Sequence, residues 1–184
     1  MLSRDEAISL VSNYIKDKKL LKHSLAVEAI MRALARRLRK DEDIWGLTGL
    51  LHDIDYEYTQ ENPMEHGIMT CKILDGLVPD EILRAIKAHN YKYTNQTPTD
   101  LLDIALIAAD AVSGLIIATA LVMPSKKLSE VKVDTLMSKF KDKSFARRVD
   151  RKKISMCRDI GLTLEEFLEL SLRSLQSISD ELDL

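Results

Sequence analysis

The chain has 184 residues, of which 46% are hydrophobic, 30% charged and 5% aromatic, which suits one domain with a sizeable core. The formal net charge of -2 argues against a polycation built to bind nucleic acid. Only 6 Gly and 4 Pro are present, which favours helices over a sandwich or barrel with many turns. The two cysteines, Cys71 and Cys157, are too few for a disulfide framework.

The N-terminal residues and the apolar runs predict neither a signal peptide nor a membrane span. Asp5 and Glu6 lie near the N-terminus, and no apolar run follows a basic start. The most apolar stretch, 101–123, contains Asp103 and Asp110, whose charges are costly in a bilayer. We therefore expect a buried helix there, and a reducing cytoplasm as the location of the protein.

Helical signals dominate the first third of the chain. Ser3 and Glu6 form a capping-box pattern, and apolar residues follow at helical spacing. An amphipathic helix with an arginine-rich outer face is predicted over 23–38. Asp41 predicts the N-cap of a third helix, which continues through an apolar run to 52–53.

Shorter elements are predicted before the apolar helix. The polar segments 56–63 and 91–98 are expected to be loops, and 66–74 a short helix. Pro79 suits the first turn of a helix that ends near His89.

The C-terminal third is first basic and then helical. The segment 126–153 carries 11 Lys or Arg and 4 Asp or Glu. Within it, Ser144 predicts the cap of a helix that runs to about Cys157, and Gly161 predicts its end. A last helix with a second capping box is predicted over 163–178. Since no segment has the period of a strand, the sequence predicts an all-α fold, bundle-like and formed as one domain.

The four histidines and two aspartates in apolar surroundings form a candidate set of metal ligands. The set is His23, His52, Asp53, His66, His89 and Asp110. Burying His52 and Asp53 at the end of an apolar run is costly unless something binds them. Asp110 has no Lys or Arg in its own helix to pair with. A surface or core role is the commoner explanation of any single histidine, but the His52-Asp53 pair and the other four candidates each lie on a different element, as ligands in helical bundles do.

The same residues resemble the HD-domain superfamily of metal-dependent phosphohydrolases. Three strings carry the resemblance: His23-Ser24-Leu25-Ala26-Val27, Leu50-Leu51-His52-Asp53-Ile54-Asp55 and Ala108-Ala109-Asp110-Ala111. His66 and His89 fall where the two-metal branch has its additional histidines, and the chain resembles small predicted HD-superfamily hydrolases. The resemblance implies a single HD-type domain over 1–184, with a metal-binding core at about 20–120 and C-terminal helices of about 126–184 packed on it.

Two divalent transition-metal ions are implied by this resemblance. One ion would take His23, His52, Asp53 and Asp110, and the other His66 and His89, with Asp53 bridging the two. Mixed His and Asp ligands favour Fe, Mn, Zn or Ni over Mg or Ca. The implied reaction is hydrolysis of a phosphomonoester or phosphodiester, in a nucleotide or another small phosphorylated molecule, by a metal-activated hydroxide.

Candidate catalytic and substrate-binding residues lie beside these ligands. Asp53 enters the reaction as the bridging ligand, and Asp55 is a candidate for positioning the nucleophile or handling protons. A turn aspartate is an equally good interpretation of Asp55. Tyr56, Lys87 and Asn90 are candidates for binding the substrate, although tyrosines often only pack loops and a helical lysine is often only solvated.

Departures from the family pattern leave other functions open. Tyr56 stands where the family often has Lys, Asn90 stands where a second histidine often lies, and the GYP segment is missing, which argues against cyclic-di-GMP hydrolysis. A di-iron oxygenase of the myo-inositol-oxygenase type uses the same ligand order. A non-catalytic, metal-stabilised sensory or binding domain is the third hypothesis. The basic segment 126–153 is either a solvated face or a means of steering an anionic substrate. We do not expect nucleic acid or a membrane as partners, and a homo-oligomer stays open.

Overall fold

The computed structural model describes residues 1–184 and consists of helices, turns and loops without a strand. Twelve α-helices follow one another: α1 Arg4–Tyr14, α2 Lys18–Leu38, α3 Glu42–Leu51, α4 Tyr56–Thr59, α5 Ile68–Leu74, α6 Asp80–His89, α7 Tyr91–Thr94, α8 Leu101–Leu121, α9 Val133–Lys141, α10 Arg151–Ser155, α11 Leu164–Ser177 and α12 Ser179–Leu182. Short 3-10 turns lie at Leu128–Glu130 and Met156–Ile160. The all-α prediction is confirmed.

The two longest helices, α2 and α8, form the centre of the bundle. Both have 21 residues, and α2 packs against α3, α8 and α11, while α6 and α10 pack against α8. By length and composition α8 is apolar enough to cross a membrane, but 67% of its most apolar window is buried inside the protein. It is therefore a core helix, and its burial explains why it carries so few polar residues.

Aspartate and hydroxyl side chains fix where several helices begin. Ser3, Asp41 and Thr163 accept hydrogen bonds from the first-turn amides of α1, α3 and α11, as the sequence predicts. Helix α2 begins earlier than predicted, at Lys18, because Asp17 caps a lysine-rich first turn that has no amphipathic pattern. His23 consequently lies inside α2 rather than at its start.

Three predictions about local structure are wrong. The segments 56–63 and 91–98 are not entirely loop, since each contains a one-turn helix. A helix, α9, lies in the basic segment where none was predicted. Ser144 does not cap a helix, because the amide and the hydroxyl of Ser144 both donate hydrogen bonds to the Asp142 carboxylate in a turn. The next helix starts only after Asp150.

The loop 142–150, which we call the basic loop, is folded around one arginine. The Arg151 guanidinium donates hydrogen bonds to five backbone carbonyls, those of Lys139, Asp142, Phe145, Ala146 and Val149. Five fixed bonds to one side chain give this segment a defined shape without regular secondary structure. The basic loop and α10 then lie against α8, which brings part of the basic segment beside the residues described next.

Candidate metal centre

The six predicted metal ligands come together from five separate parts of the fold. His23 lies on α2 and Asp110 on α8, His89 is the last residue of α6, and His66 precedes α5. His52 and Asp53 directly follow α3. Five of the six side chains line a solvent-connected cavity of about 410 Å³, and the sixth, the fully buried His52, lies behind them in contact with His23 and Asp53.

One group of ligand atoms joins α2 to the end of α3. The His23 Nε2 lies 3.3 Å from the His52 Nε2 and 3.6 Å from the Asp53 Oδ2. The Asp53 Oδ1 is 3.2 Å from the His52 Nε2. Asp110 reaches this group through its Oδ1, which is 3.3 Å from the His23 Nε2.

A second group joins the end of α3 to His66 and to the end of α6. The His66 Nε2 and the His89 Nε2 are 2.9 Å apart. The Asp53 Oδ1 lies 3.3 Å from the first of these nitrogens and 3.5 Å from the second. Asp53 thus belongs to both groups and is the only residue that does.

Each histidine is held through its Nδ1, so that its Nε2 points into the centre. The Nδ1 partners are the Ser113 hydroxyl for His23, the Gly49 carbonyl for His52, the Asp55 carboxylate for His66 and the Ile86 carbonyl for His89. The Ser113 hydroxyl donates its own proton to the Asp110 carbonyl, and so accepts from His23. All four partners accept a hydrogen bond, which favours a proton on Nδ1 and a lone pair on Nε2.

This arrangement fits bound transition-metal ions. Nε2 atoms only 2.9 Å and 3.3 Å apart face each other across the centre, and a cation that replaced any proton between them would be ligated by both nitrogens of a pair. Metal–nitrogen bonds of about 2.0–2.1 Å place two ligands of one ion about 3 Å apart, which agrees with these distances. Imidazole and carboxylate together are the ligands that Fe, Mn, Zn and Ni accept.

In the metal-free protein, protons and carboxylates balance each other's charge. Burial raises the pKa of Asp53, but the neighbouring His52, His66 and His89 outweigh it and leave that pKa well below its ordinary value. Burial lowers the pKa of His66, yet hydrogen bonds to Asp53 and Asp55 raise it to about 10. Burial dominates at His89, whose pKa is lowered. A metal ion entering the second group must therefore displace a proton from His66.

Asp55 lies behind the metal ligands rather than in the cavity wall. Its side chain is fully buried; Oδ1 accepts from the His66 Nδ1 at 2.8 Å, and Oδ2 accepts from the amides of Gly67 and Thr70 at 2.8 Å and 3.0 Å. Both oxygens are thus occupied. This placement favours a positioning role through His66 over direct action on the nucleophile, which stays a prediction.

Asp55→Asn is expected to weaken binding of a metal ion by the second group, which contains His66, about 10- to 100-fold, because an amide cannot accept all three of these hydrogen bonds. Binding by the first group, which contains His23, should change little. Competition between the protein and a chromophoric chelator measures both affinities. Glu65→Gln is the matched control, since it removes one charge beside His66 from an exposed side chain. Unchanged affinity in Asp55→Asn would contradict the positioning role.

The three predicted substrate-binding residues are placed differently. Tyr56 lines the cavity and lies edge-on to His66, with ring centroids 5.4 Å apart. Asn90 also lines it, but its amide nitrogen is used to hold the carbonyls of Pro63 and His66. Lys87 is not brought to the cavity, because it precedes His89 by two residues and so points to the other side of α6.

Lys153 is the cationic side chain that the structure brings to the cavity. It lies on α10, its Nζ donates to the His89 carbonyl at 3.4 Å, and it is 3.9 Å from the Asp110 Oδ2. The sequence indicates only that Lys153 belongs to a basic segment. Its position depends on the helix start capped by Asp150 and on the packing of α10 against α8, and the packing has no local sequence signal.

Comparison with known proteins identifies the family. A family model described as the HD domain matches residues 20–115, more than half of the chain. The chain therefore belongs to the HD domain family, as the resemblance predicts, and HD domains are a class of metal-dependent phosphohydrolases. Ribonuclease Y of Desulfotalea psychrophila is 36% identical over 98 residues, which cover 53% of this chain and 18% of that protein. The matched region is thus less than a fifth of the relative's length. No solved structure gives a significant match.

Proposed function

We propose that the protein hydrolyses a phosphomonoester or phosphodiester in a nucleotide or another small phosphorylated molecule. The observation that carries this proposal is the convergence of four histidine Nε2 atoms on the Asp53 carboxylate, with Asp110 beside His23, next to a cavity of about 410 Å³. A cavity of that size admits a ligand as large as a nucleotide. Membership of the HD domain family supports the same reaction class.

We further propose that two divalent transition-metal ions act together. His23, His52, Asp53 and Asp110 would hold one, and Asp53, His66 and His89 would hold the other. When bound, such ions activate water as a nucleophile and neutralise the charge on a phosphoryl group. We propose that each ion is Fe, Mn, Zn or Ni, since these metals accept mixed imidazole and carboxylate ligands.

The chain's own residues supply substrate binding and orientation. The Lys153 ammonium lies on the cavity wall, with 22% of its side chain exposed, and can hold a non-bridging phosphoryl oxygen. It supplies, from another part of the fold, the positive charge that the family often places at the position of Tyr56. Water attacks phosphorus, the bond from phosphorus to the leaving oxygen breaks, and the products are a phosphate and an alcohol, or a phosphomonoester and an alcohol.

The bacterial relative supports a phosphate-ester substrate, since a ribonuclease by name acts on RNA, whose backbone is a phosphodiester. The myo-inositol-oxygenase type of chemistry is not favoured, because both comparisons point to hydrolases. The hypothesis of a non-catalytic domain predicts that bound metals stabilise the fold while the protein hydrolyses no substrate.

Metal analysis combined with a substrate screen tests the proposal. We expect about two ions per chain, and hydrolysis of p-nitrophenyl phosphate, bis-p-nitrophenyl phosphate or a nucleotide that chelator abolishes and added metal restores. Oxygen consumption with myo-inositol serves as the comparison reaction. Iron together with oxygen uptake and no phosphate release would favour the oxygenase. A chelator-sensitive melting temperature without any turnover would favour the non-catalytic domain.

A further inference from the structure

The cavity of the metal centre continues into two others along the basic loop. The adjoining cavity, of about 450 Å³, shares His23, Asn90, Asp110 and Lys153 with the metal centre. Lys92 and Arg148 lie on its far side, and both also line a third cavity of about 570 Å³ beyond it. The three cavities thus form one continuous surface that leads away from the metal ligands.

Lysine and arginine side chains outnumber aspartate side chains on this surface. Arg148 is exposed and has no carboxylate within ion-pair distance, and the same is true of Arg147 and Lys143 in the third cavity. Lys92 contacts Asp150 at 3.5 Å. Asp150 and Asp110 are the two carboxylates that line the adjoining and third cavities, and together they are outnumbered by Lys92, Lys143, Arg147 and Arg148.

The positive side chains are mounted on a defined backbone rather than on a loose segment. Arg148 belongs to the basic loop, whose carbonyls are held by Arg151 on both sides of it, at Ala146 and Val149. Because the backbone that carries Arg148 is already ordered, only its side chain has to lose conformational entropy when an anion binds. The arrangement is therefore suited to hold an anion at a set distance from the metal centre.

An exposed aromatic ring adds a second recognition element to the adjoining cavity. Tyr93 follows Lys92 on α7, lines the cavity and is 49% exposed. Aromatic rings that stay exposed beside positive groups offer a face on which a nucleobase can stack. This favours a nucleotide over an inorganic or sugar phosphate as the molecule that spans both cavities.

We infer that the surface formed by Lys92, Arg148 and Tyr93 binds a second phosphate of the substrate and the nucleoside attached to it. The inference rests on the proposed function and narrows it: the substrate carries at least two phosphates, one at the metal centre beside Lys153 and one at Arg148 and Lys92. Nucleoside diphosphates and short oligonucleotides share this chemistry. A nucleoside monophosphate would leave the second set of charges without a partner.

Nucleotide binding by the full, metal-loaded chain tests the inference independently of turnover when hydrolysis-resistant analogues are used. Isothermal titration compares such analogues of AMP, ADP and a 5′-phosphorylated adenosine dinucleotide. We expect the second phosphate to tighten binding at least tenfold in the wild-type protein, and Arg148→Glu to reduce that ratio to below about threefold. Lys92→Ala, on a different element, should reduce it in the same direction. Arg158→Glu, an equal charge change at an exposed site outside these cavities, should keep the wild-type ratio.

The outcomes separate this inference from the proposed function. Equal affinities for AMP and ADP, or an unchanged ratio in folded Arg148→Glu, would overturn the second-phosphate site even if the metal-loaded protein hydrolyses phosphate esters. Absence of any hydrolysis would overturn the proposed function, while the binding ratios would still report on the site. A preference for the dinucleotide over ADP identifies an oligonucleotide substrate, and the reverse preference a nucleoside polyphosphate. Circular dichroism and thermal unfolding verify that each variant is folded.

Discussion

Asp53→Asn is expected to remove both bound metal ions and to lower hydrolysis of a phosphate ester at least about 1,000-fold. Asp53 is the only residue that belongs to both groups of ligand atoms, with oxygens within 3.6 Å of all four histidine Nε2 atoms. The amide keeps the shape of the side chain but loses its charge and one of its two oxygen ligands. Loss of the activation that bound metals give to water costs several kcal/mol, which corresponds to about a thousandfold in rate.

Histidine variants separate the two proposed ions. His66→Gln removes a ligand from the second group only, and His23→Gln from the first group only. We therefore expect about one ion per chain to remain in each variant, against about two in the wild-type protein. Elemental analysis of the purified proteins gives these ratios, and phosphate release from the screened ester gives the rates.

Asp159→Asn is the control for the change in charge, since Asp159 is exposed and distant in sequence from every ligand. It should keep both ions and the wild-type rate. Retention of two ions in Asp53→Asn would contradict the bridging role. A wild-type ratio of one, abolished equally by His23→Gln and His66→Gln, would show that both groups serve a single ion.

Much of this centre is predictable from the sequence because its ligands are rare residues in costly positions. His52 and Asp53 end an apolar helix, and Asp110 interrupts another, so burial without a partner would carry a large free-energy penalty. The chain has only 4 histidines, and all four meet at Asp53. Helix starts are predictable for a similar reason, since the caps at Ser3 and Asp41 satisfy amides through local hydrogen bonds.

The parts that sequence reasoning misses depend on contacts between distant segments. Lys153 reaches the cavity because the basic loop is wrapped around Arg151 and α10 lies on α8. A serine at position 144 resembles a helix N-cap in the sequence. The hydrogen bonds of Ser144 to Asp142, and of Arg151 to five backbone carbonyls, stabilise a loop there instead. Lys87 is the converse case: its proximity to His89 in sequence suggests a shared site, whereas helical geometry directs the two side chains apart.

Asp55 shows how one residue can satisfy two sequence interpretations at once. It is a turn aspartate, since it accepts the amides of Gly67 and Thr70, and it also belongs to the metal centre, since it fixes the ring of His66. The sequence places it two residues after the ligand Asp53 but does not show which way its carboxylate faces. That direction follows from the chain turning back at 56–66 to bring His66 beside it.

Gly49→Ala is expected to destabilise the protein by about 1–3 kcal/mol and to weaken the first metal group at least tenfold. Helix α3 lies directly against α2 at this residue: a Cβ atom on Gly49 would be 2.9 Å from the backbone of both Val27 and Glu28. Backbone atoms inside a packed helix cannot move aside as a side chain can, so the two helices must separate. This cost exceeds the gain of about 1 kcal/mol that alanine normally brings to a helix interior.

The same separation would disturb the metal centre, because α2 carries His23 and α3 leads into His52. Their Nε2 atoms are 3.3 Å apart, and the Gly49 carbonyl itself holds the His52 ring at 2.8 Å. Gly114→Ala is the matched control in α8, where the added Cβ would meet only the Val149 side chain at 3.3 Å. Urea unfolding and chelator competition should show both losses in Gly49→Ala and a stability change below about 1 kcal/mol in Gly114→Ala. Loss of stability without loss of metal affinity would mean that the ligands adjust independently of the contact between α2 and α3.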